Sequence, residues 1–343
     1  MFDILKINLC SPLTLAFALG VFARIVKSEL ALPRDLYTSL SIYLLFALGL
    51  KGGVELSHSS FSEISGPAFV TILLGIITPV TSYLVLRKLG RFSIADAAGI
   101  AAHYGSVSAV TFIAAQQFVT SAGSPAEGFM PTLLTLLEIP GIQIALAIGA
   151  FQMARSKANS QAVSKADGSV EPVASVIGSG RKTSELMHEL LTSRSMILLV
   201  GGLVIGASVG DSGWAMVQPV FEGLFKGLLT IFLLEMGLAA GSRLGDLRHA
   251  GLFLLGFGII MPIFHGTLGA YLGSLAGLSV GGCTVLGTMA ASASYIAAPP
   301  AVRMTLPEAN PTFYLTAALA ITFPFNLVFG IPIYFAISKA LCS

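Results

Sequence analysis

Two short clusters of hydroxyl residues stand where a membrane helix should be least polar. The first is Gly105-Ser-Val-Ser108 with Thr111; the second is Ser292-Ala-Ser294, followed by Tyr295 and then Pro299-Pro300. Proline cannot donate the helical hydrogen bond and clashes with the preceding turn. A helix interrupted at membrane depth is tolerated only where protein buries the break or a wet cavity runs past it. A half-helix that starts at such a break turns unpaired N–H groups and its positive dipole end toward the gap. The hydroxyls of Ser106, Ser108, Thr111, Ser292 and Ser294 add donors and acceptors. This combination suits a small anion and also offers oxygens to a sodium ion. No Lys or Arg stands in either cluster. Neutral donors and helix ends would therefore hold the anion, which favours a compact one over a bulky or polyvalent one. The plainer reading is a kinked helix whose small hydroxyl residues glue its neighbours together.

Glu138 is the clearest acid inside an apolar stretch, flanked by leucines and one turn from Pro140. A carboxylate in lipid is costly and is a functional candidate by default; its expected role is to coordinate or compensate a cation. The plainer reading is a protonated or snorkelled side chain. Glu235, among Leu and Met, reads more simply as an acid near an interface. His103 and Tyr104 precede the first break. His103 could carry protons, but a lone histidine beside a polar cavity is more often just hydrogen-bonded, and His265 is read the same way. No metal-ligand spacing, nucleophile elbow, phosphate loop or dinucleotide fingerprint occurs, so neither an enzyme nor an ATP-driven pump is expected.

The elements that position these groups are membrane spans. The chain of 343 residues is 55% hydrophobic and only 10% charged, against about 25% charged in soluble domains. Residues 249–302 contain no Asp, Glu, Lys or Arg. Apolar runs predict spans near 11–29, 36–56, 66–88, 94–118 and 128–153, then near 195–210, 216–241, 250–275, 280–303 and 310–338. The start is read as a retained first span rather than a signal peptide. Cys10, Cys283 and Cys342 form no CxxC pair and no framework.

The two sets of five look alike. Gly75-Ile-Ile-Thr-Pro79 matches Gly258-Ile-Ile-Met-Pro262, each set has a serine-bearing break further on, and each ends with a proline in its last span, at Glu138-Ile-Pro140 and Thr322-Phe-Pro324. Leu48-Gly-Leu50 and Met236-Gly-Leu238 also correspond. Five is odd, so two such halves enter the membrane from opposite sides, the inverted-repeat plan of secondary transporters. The fold expected is an all-α polytopic membrane protein of ten transmembrane helices in two inverted five-helix repeats, with broken helices in spans 4 and 9. Its parts are a first repeat at 1–153, a cytoplasmic linker at 154–193 and a second repeat at 194–343. Spans 3–5 and 8–10 form a core, and spans 1, 2, 6 and 7 a gate.

With the linker inside, the outside segments keep only Lys6, Lys51, Lys226 and Lys339 of the 19 Lys and Arg. This asymmetry places both termini outside. The Ser/Ala/Gly-rich linker reads as flexible, and Thr183–Leu191 as either a short surface helix or a plain connector.

At the breaks the sequence resembles the sodium-dependent bicarbonate transporters of the SbtA type. The residues that carry the likeness are Ala290–Pro300 with Leu306–Pro311, Gly105–Ser108 with Thr111, Glu138–Pro140, and Met236–Leu247. The resemblance implies inward bicarbonate uptake coupled to sodium, a core moving against a gate, a homotrimer in a bacterial inner membrane, and a PII-like SbtB regulator acting from the cytoplasm. No nucleic acid partner is implied. Carried over by position, the anion site falls on Gly105, Ser108, Thr111, Ser292 and Ser294. Ser106 and Tyr295 complete the candidate anion set, and Glu138 with Ser108 and Ser294 form the candidate cation set. The family pattern differs at three places: a further serine or small residue stands where this chain has Val110, and an aspartate where it has Tyr295 and again where it has Glu138. The rival expectations are an organic-anion or proton-coupled transporter of related fold, and a non-transporting membrane sensor reading a ligand through the linker.

Overall fold

A computed structural model describes residues 9–164, 188, 191–192 and 194–342. Among these residues the chain is helical, with no strand. The helices are α1 (Pro12–Ile25), α2 (Arg34–His58), α3 (Phe61–Lys88), α4 (Ile94–Gly105), α5 (Ala109–Ser121) and α6 (Met130–Ser164). They continue with α7 (Arg194–Gln218), α8 (Phe225–Arg243), α9 (Leu247–Leu275), α10 (Val280–Ala291) and α11 (Ala298–Thr305). A last segment, α12 (Pro311–Leu341), closes the described chain.

Among the described residues, eight segments are long and apolar enough to cross a bilayer: α2, α3, the pair α4–α5 taken together, α6, α7, α8, α9 and α12. The two shorter apolar helices are α1 and α10. The physical reason α10 is short is its break: it stops at Ala291 and the chain turns through 292–297 before α11 begins. Helix α6 continues to Ser164, beyond the 153 expected from the sequence. Helix α7 kinks at Gly210, whose φ of 56° and ψ of −158° leave helical space, but the apolar helical segment runs on to Gly223, past the 210 expected from the sequence, and the next begins at Phe225 rather than 216. Pro219–Gly223 then forms a π-helical turn before α8. Most of the linker, including nearly all of Thr183–Leu191, lies outside the described residues.

Local chemistry starts the helices. Ser60 and Glu63 form a reciprocal capping box on α3: Ser60 Oγ accepts from the Glu63 N–H, and Glu63 accepts from the Ser60 N–H at 3.0 Å. Helices α4 and α10 are both 12 residues long, and each starts at a serine cap, Ser93 and Ser279. Pro140 sits within α6 and Pro79 within α3 without ending either helix. Pro324 in α12 is bracketed by π-helical stretches, Thr316–Thr322 and Asn326–Gly330. There a wider turn absorbs the missing N–H.

The helices pack as two groups. Helix α1 lies along α8 and α2 along α7; α3, α4 and α6 pack with one another and α9, α10 and α12 likewise, while α5 crosses to pack on α10 and α11 crosses to pack on α4 and α6. In the α1–α8 pair, a Cβ on Gly20 would lie 2.2 Å from the Leu234 carbonyl oxygen and 2.9 Å from Gly237 Cα. Only glycine permits backbones that close. The two halves are tied to each other at the outer ends of their short helices. Asp96, in the first turn of α4, accepts from the Asn310 N–H at 2.8 Å, and Glu127 accepts from the Ser279 N–H at the start of α10 at 2.6 Å.

Candidate functional site

The two breaks cross in the interior. The backbone N–H of Ser108, in the first break, donates to Ser292 Oγ in the second at 2.9 Å. The N–H of Ser294 donates to the His103 carbonyl at 2.8 Å, and His103 Nδ1 donates to the Ser294 carbonyl oxygen at 2.5 Å. Asn326 Nδ2 completes the set by donating to the Ala291 carbonyl at 2.8 Å, satisfying the end of α10. His103 stacks on Tyr314 at 4.6 Å between ring centroids. It is fully buried and spends Nδ1 on holding the crossing, which matches the bland expectation for it. His265 meets Thr81 at 2.8 Å.

Helix α4 reaches the crossing by direct contact with α6. A Cβ on Gly141 would lie 1.7 Å from the Gly105 carbonyl oxygen. Two glycines therefore let the end of α4 meet the helix that carries Glu138, one turn away. Tyr104 bonds Thr322 Oγ1 at 2.5 Å, and Thr322 donates to the Gly258 carbonyl at 2.8 Å. Three separate segments thus fix the approach to the break.

Beside the crossing is a small cavity of about 20 Å³, room for about one water-sized body. Of the sequence-predicted residues, Ser108, Ser294, Tyr295 and Glu138 line it. Gly105, Ser106, Thr111 and Ser292 are buried close by but do not line it. Their parts in the structure differ. Ser292 donates its own proton to the Met289 carbonyl at 2.9 Å while accepting from Ser108. The Thr111 N–H is capped by Ser108 Oγ at 3.3 Å. Ser106 Oγ finds no partner among the described residues.

The cavity wall also includes Ala109 and Val110, the first two residues of α5. The N–H groups of a helix's first turn have no helical acceptor, so α5 turns its positive end into this space. Helix α11 contributes less. Pro299 and Pro300 occupy its first turn, a position proline suits, and neither has an N–H to offer. The doubled proline therefore starts a helix and also strips donors from it.

Tyr295 packs edge-on against Phe323 at 5.7 Å. Its hydroxyl lies beside Ser108 without completing a hydrogen bond of ordinary geometry. Glu138 is buried, and Ser108 and Ser294 share its cavity. One carboxylate with nearby hydroxyls and carbonyls is oxygen chemistry of the kind a hard cation takes. Among the described residues no group of three or more His, Cys, Asp or Glu could hold a metal.

Sequence reasoning missed Ser41 on α2 and Phe232 on α8, which face the breaks across the cavity. No motif marks them. Only the serine in the apolar run Ser41–Leu50 hints at a polar task.

A larger cavity of about 560 Å³ lies further along the same helices. On α2 the inner cavity touches Leu44 and Leu45, and the outer one Ala47, Leu48 and Lys51. On α5 the step runs from Ile113 to Gln116 and Thr120. One helical turn of apolar side chains separates the two spaces. Lys51 pairs with Glu222 at 2.6 Å at the outer rim, and Lys226 stands exposed there.

The model of the Na+-dependent bicarbonate transporter superfamily matches residues 12–339. The chain belongs to that superfamily. No curated protein matches it. Membership of a transporter superfamily makes transport the chain's task rather than catalysis, and the apolar helices make it a multi-pass membrane protein.

Proposed function

We propose that this protein imports bicarbonate, or an anion of similar size, together with sodium, binding both where the two breaks cross. The observation that carries the proposal is the crossing itself. Backbone and hydroxyl groups of Ser108, Ser292, Ser294 and His103 hold two interrupted helices together, and the positive end of α5 is left facing a cavity. The N–H groups of Ala109 and Val110, with the hydroxyls of Ser294 and Tyr295, form the anion's contacts. Because Val110 acts through its backbone, its bulk narrows the cavity without removing the donor. Sodium sits toward Glu138 and offsets a buried carboxylate that would otherwise be costly.

The packing supports a core of α3–α6 and α9–α12 that moves as a unit past a gate of α1, α2, α7 and α8, with the halves as inverted repeats. The inner cavity is too small for a four-heavy-atom anion, so admission requires the gate residues Ser41, Leu44, Leu45 and Phe232 to draw away from the crossing. The outer cavity is the access path from outside, at the helix ends poor in Lys and Arg. The exposed apolar residues of α7, Ile197, Val200, Val204 and Val209, face lipid or a neighbouring subunit of a trimer.

The test is uptake of labelled bicarbonate into proteoliposomes with and without an inward sodium gradient. Uptake that rises with sodium on the bicarbonate side supports the reading, and uptake indifferent to sodium removes the coupling. Glu138 favours one rival. A buried carboxylate facing a cavity can also carry a proton, and uptake driven by an imposed pH gradient without sodium identifies that mechanism.

A further inference from the structure

The three cysteines are far apart in sequence, yet two of them meet. Cys283 Sγ and Cys342 Sγ lie 3.5 Å apart, and both are free thiols. Cys283 sits in the first turn of α10, fully buried. Cys342 caps the end of α12, is exposed, and holds its backbone by an N–H bond to Ser338 at 3.0 Å. Both sulfurs converge on one acceptor, the Leu278 carbonyl, at 3.3 Å from Cys283 and 3.9 Å from Cys342. That carbonyl belongs to the turn leading into α10, where Gly277 takes a φ of +81°. One thiol is thus fixed in a packed helix. The other stands one residue past a helix end, where fraying gives it room to move.

We propose that Cys283 and Cys342 are a disulfide site that staples the end of α12 to the start of α10. Bonded sulfurs lie at about 2.05 Å, so the approach still required is a small swing of Cys342. The oxidant is a reactive disulfide, RSSR, and the exposed thiol meets it first. The Cys342 thiolate attacks one sulfur of RSSR, forming a mixed disulfide and releasing RS⁻. The Cys283 thiolate then attacks Cys342 Sγ and releases the second RS⁻. Two thiol protons go to solvent and two electrons to the oxidant. The orientation under Proposed function puts both cysteines at the outer face, where oxidising chemistry is available to a bacterial envelope protein; the pairing itself rests only on the distances. Since α10 and α12 pack against each other, the bond stiffens one body and leaves its motion against α1, α2, α7 and α8 free.

The experiment uses the full chain, purified reduced in detergent and treated with diamide, whose N=N bond takes up two electrons and two protons. Thiols are counted after denaturation, and a non-reducing digest is read by mass spectrometry. The expected result is loss of two of the three thiols, a peptide cross-linking Cys283 to Cys342, and a thermal midpoint a few degrees higher. The Cys10→Ser variant should still lose two thiols, while Cys283→Ser and Cys342→Ser should keep both of theirs in the monomer. Three remaining thiols, or cross-links only through Cys10 between molecules, overturn the proposal. Because the readout is chemical, it stands or fails independently of whether the protein transports bicarbonate.

Discussion

The Ser108 backbone N–H donates to Ser292 Oγ at 2.9 Å, joining residues 184 apart in the sequence. A backbone donor at the centre of an apolar protein has no water to fall back on, so its acceptor matters more than an average hydroxyl. Ser292→Ala leaves that N–H orphaned, with an expected cost of about 1–3 kcal/mol. Ser106→Ala removes a hydroxyl that makes no such bond and should be nearly silent in stability. Thermal midpoints of the two variants in detergent, beside their uptake rates, test this contrast. Equal midpoints would mean the crossing is held by other groups.

Gly141→Ala probes the other support of the crossing. The new Cβ would fall 1.7 Å from the Gly105 carbonyl oxygen, and backbone cannot swing aside as a long side chain can. Helices α4 and α6 must part, at a cost of about 1–3 kcal/mol or more, and Glu138 moves away from Ser108 with them. We expect weak expression, a lowered midpoint and lost uptake. Gly201→Ala is the control: nothing lies within 4 Å of its Cβ, and it should match the unaltered protein in both measurements.

At the outer cavity, Lys51 is held by Glu222 at 2.6 Å and Lys226 stands exposed. A cation exposed at a cavity mouth raises the local concentration of anions, and salt screens the effect. Lys226→Glu should raise the KM for bicarbonate roughly severalfold at low ionic strength and leave kcat alone. The difference should shrink when an inert salt is added. A KM independent of both the substitution and the salt would place the access path elsewhere.

How much of this was legible beforehand depends on whether a feature is local. Pro299-Pro300 and the serine clusters announced their breaks, because a missing N–H and a capping hydroxyl act on the nearest turn. The repeated Gly-Ile-Ile-x-Pro stretches each lie inside one long helix, α3 and α9, which neither proline ends. Ser41 and Phe232 gave no sign, since only packing of α2 and α8 against the breaks brings them to the cavity. The division of labour among the hydroxyls was equally hidden: which of Ser108, Ser292 and Ser294 faces open space depends on how two backbones cross. Cys283 and Cys342, 59 residues apart, belong with these. The π-helical stretches around Pro324 show a third case, in which proline changes the turn width instead of ending the helix.

Glu138→Gln bears most directly on coupling. The amide keeps the shape and much of the hydrogen bonding of the carboxylate but carries no charge. If Glu138 ligates the sodium that accompanies the anion, the variant should fold, and its midpoint should hold or rise, because a buried charge without a partner is unfavourable. Its uptake should lose sodium stimulation, with the half-saturating sodium concentration rising about tenfold or beyond measurement, the equivalent of about 1.4 kcal/mol or more of lost cation binding. Glu138→Asp keeps the charge on a shorter arm and should retain stimulation at a weakened affinity. Initial rates across a sodium series, at two values of pH, separate the mechanisms. Stimulation that disappears in Gln and survives in Asp assigns the cation to this carboxylate. A Gln variant that instead loses only its response to pH makes Glu138 a proton carrier, and one that keeps full sodium stimulation places the cation at other oxygens of the crossing.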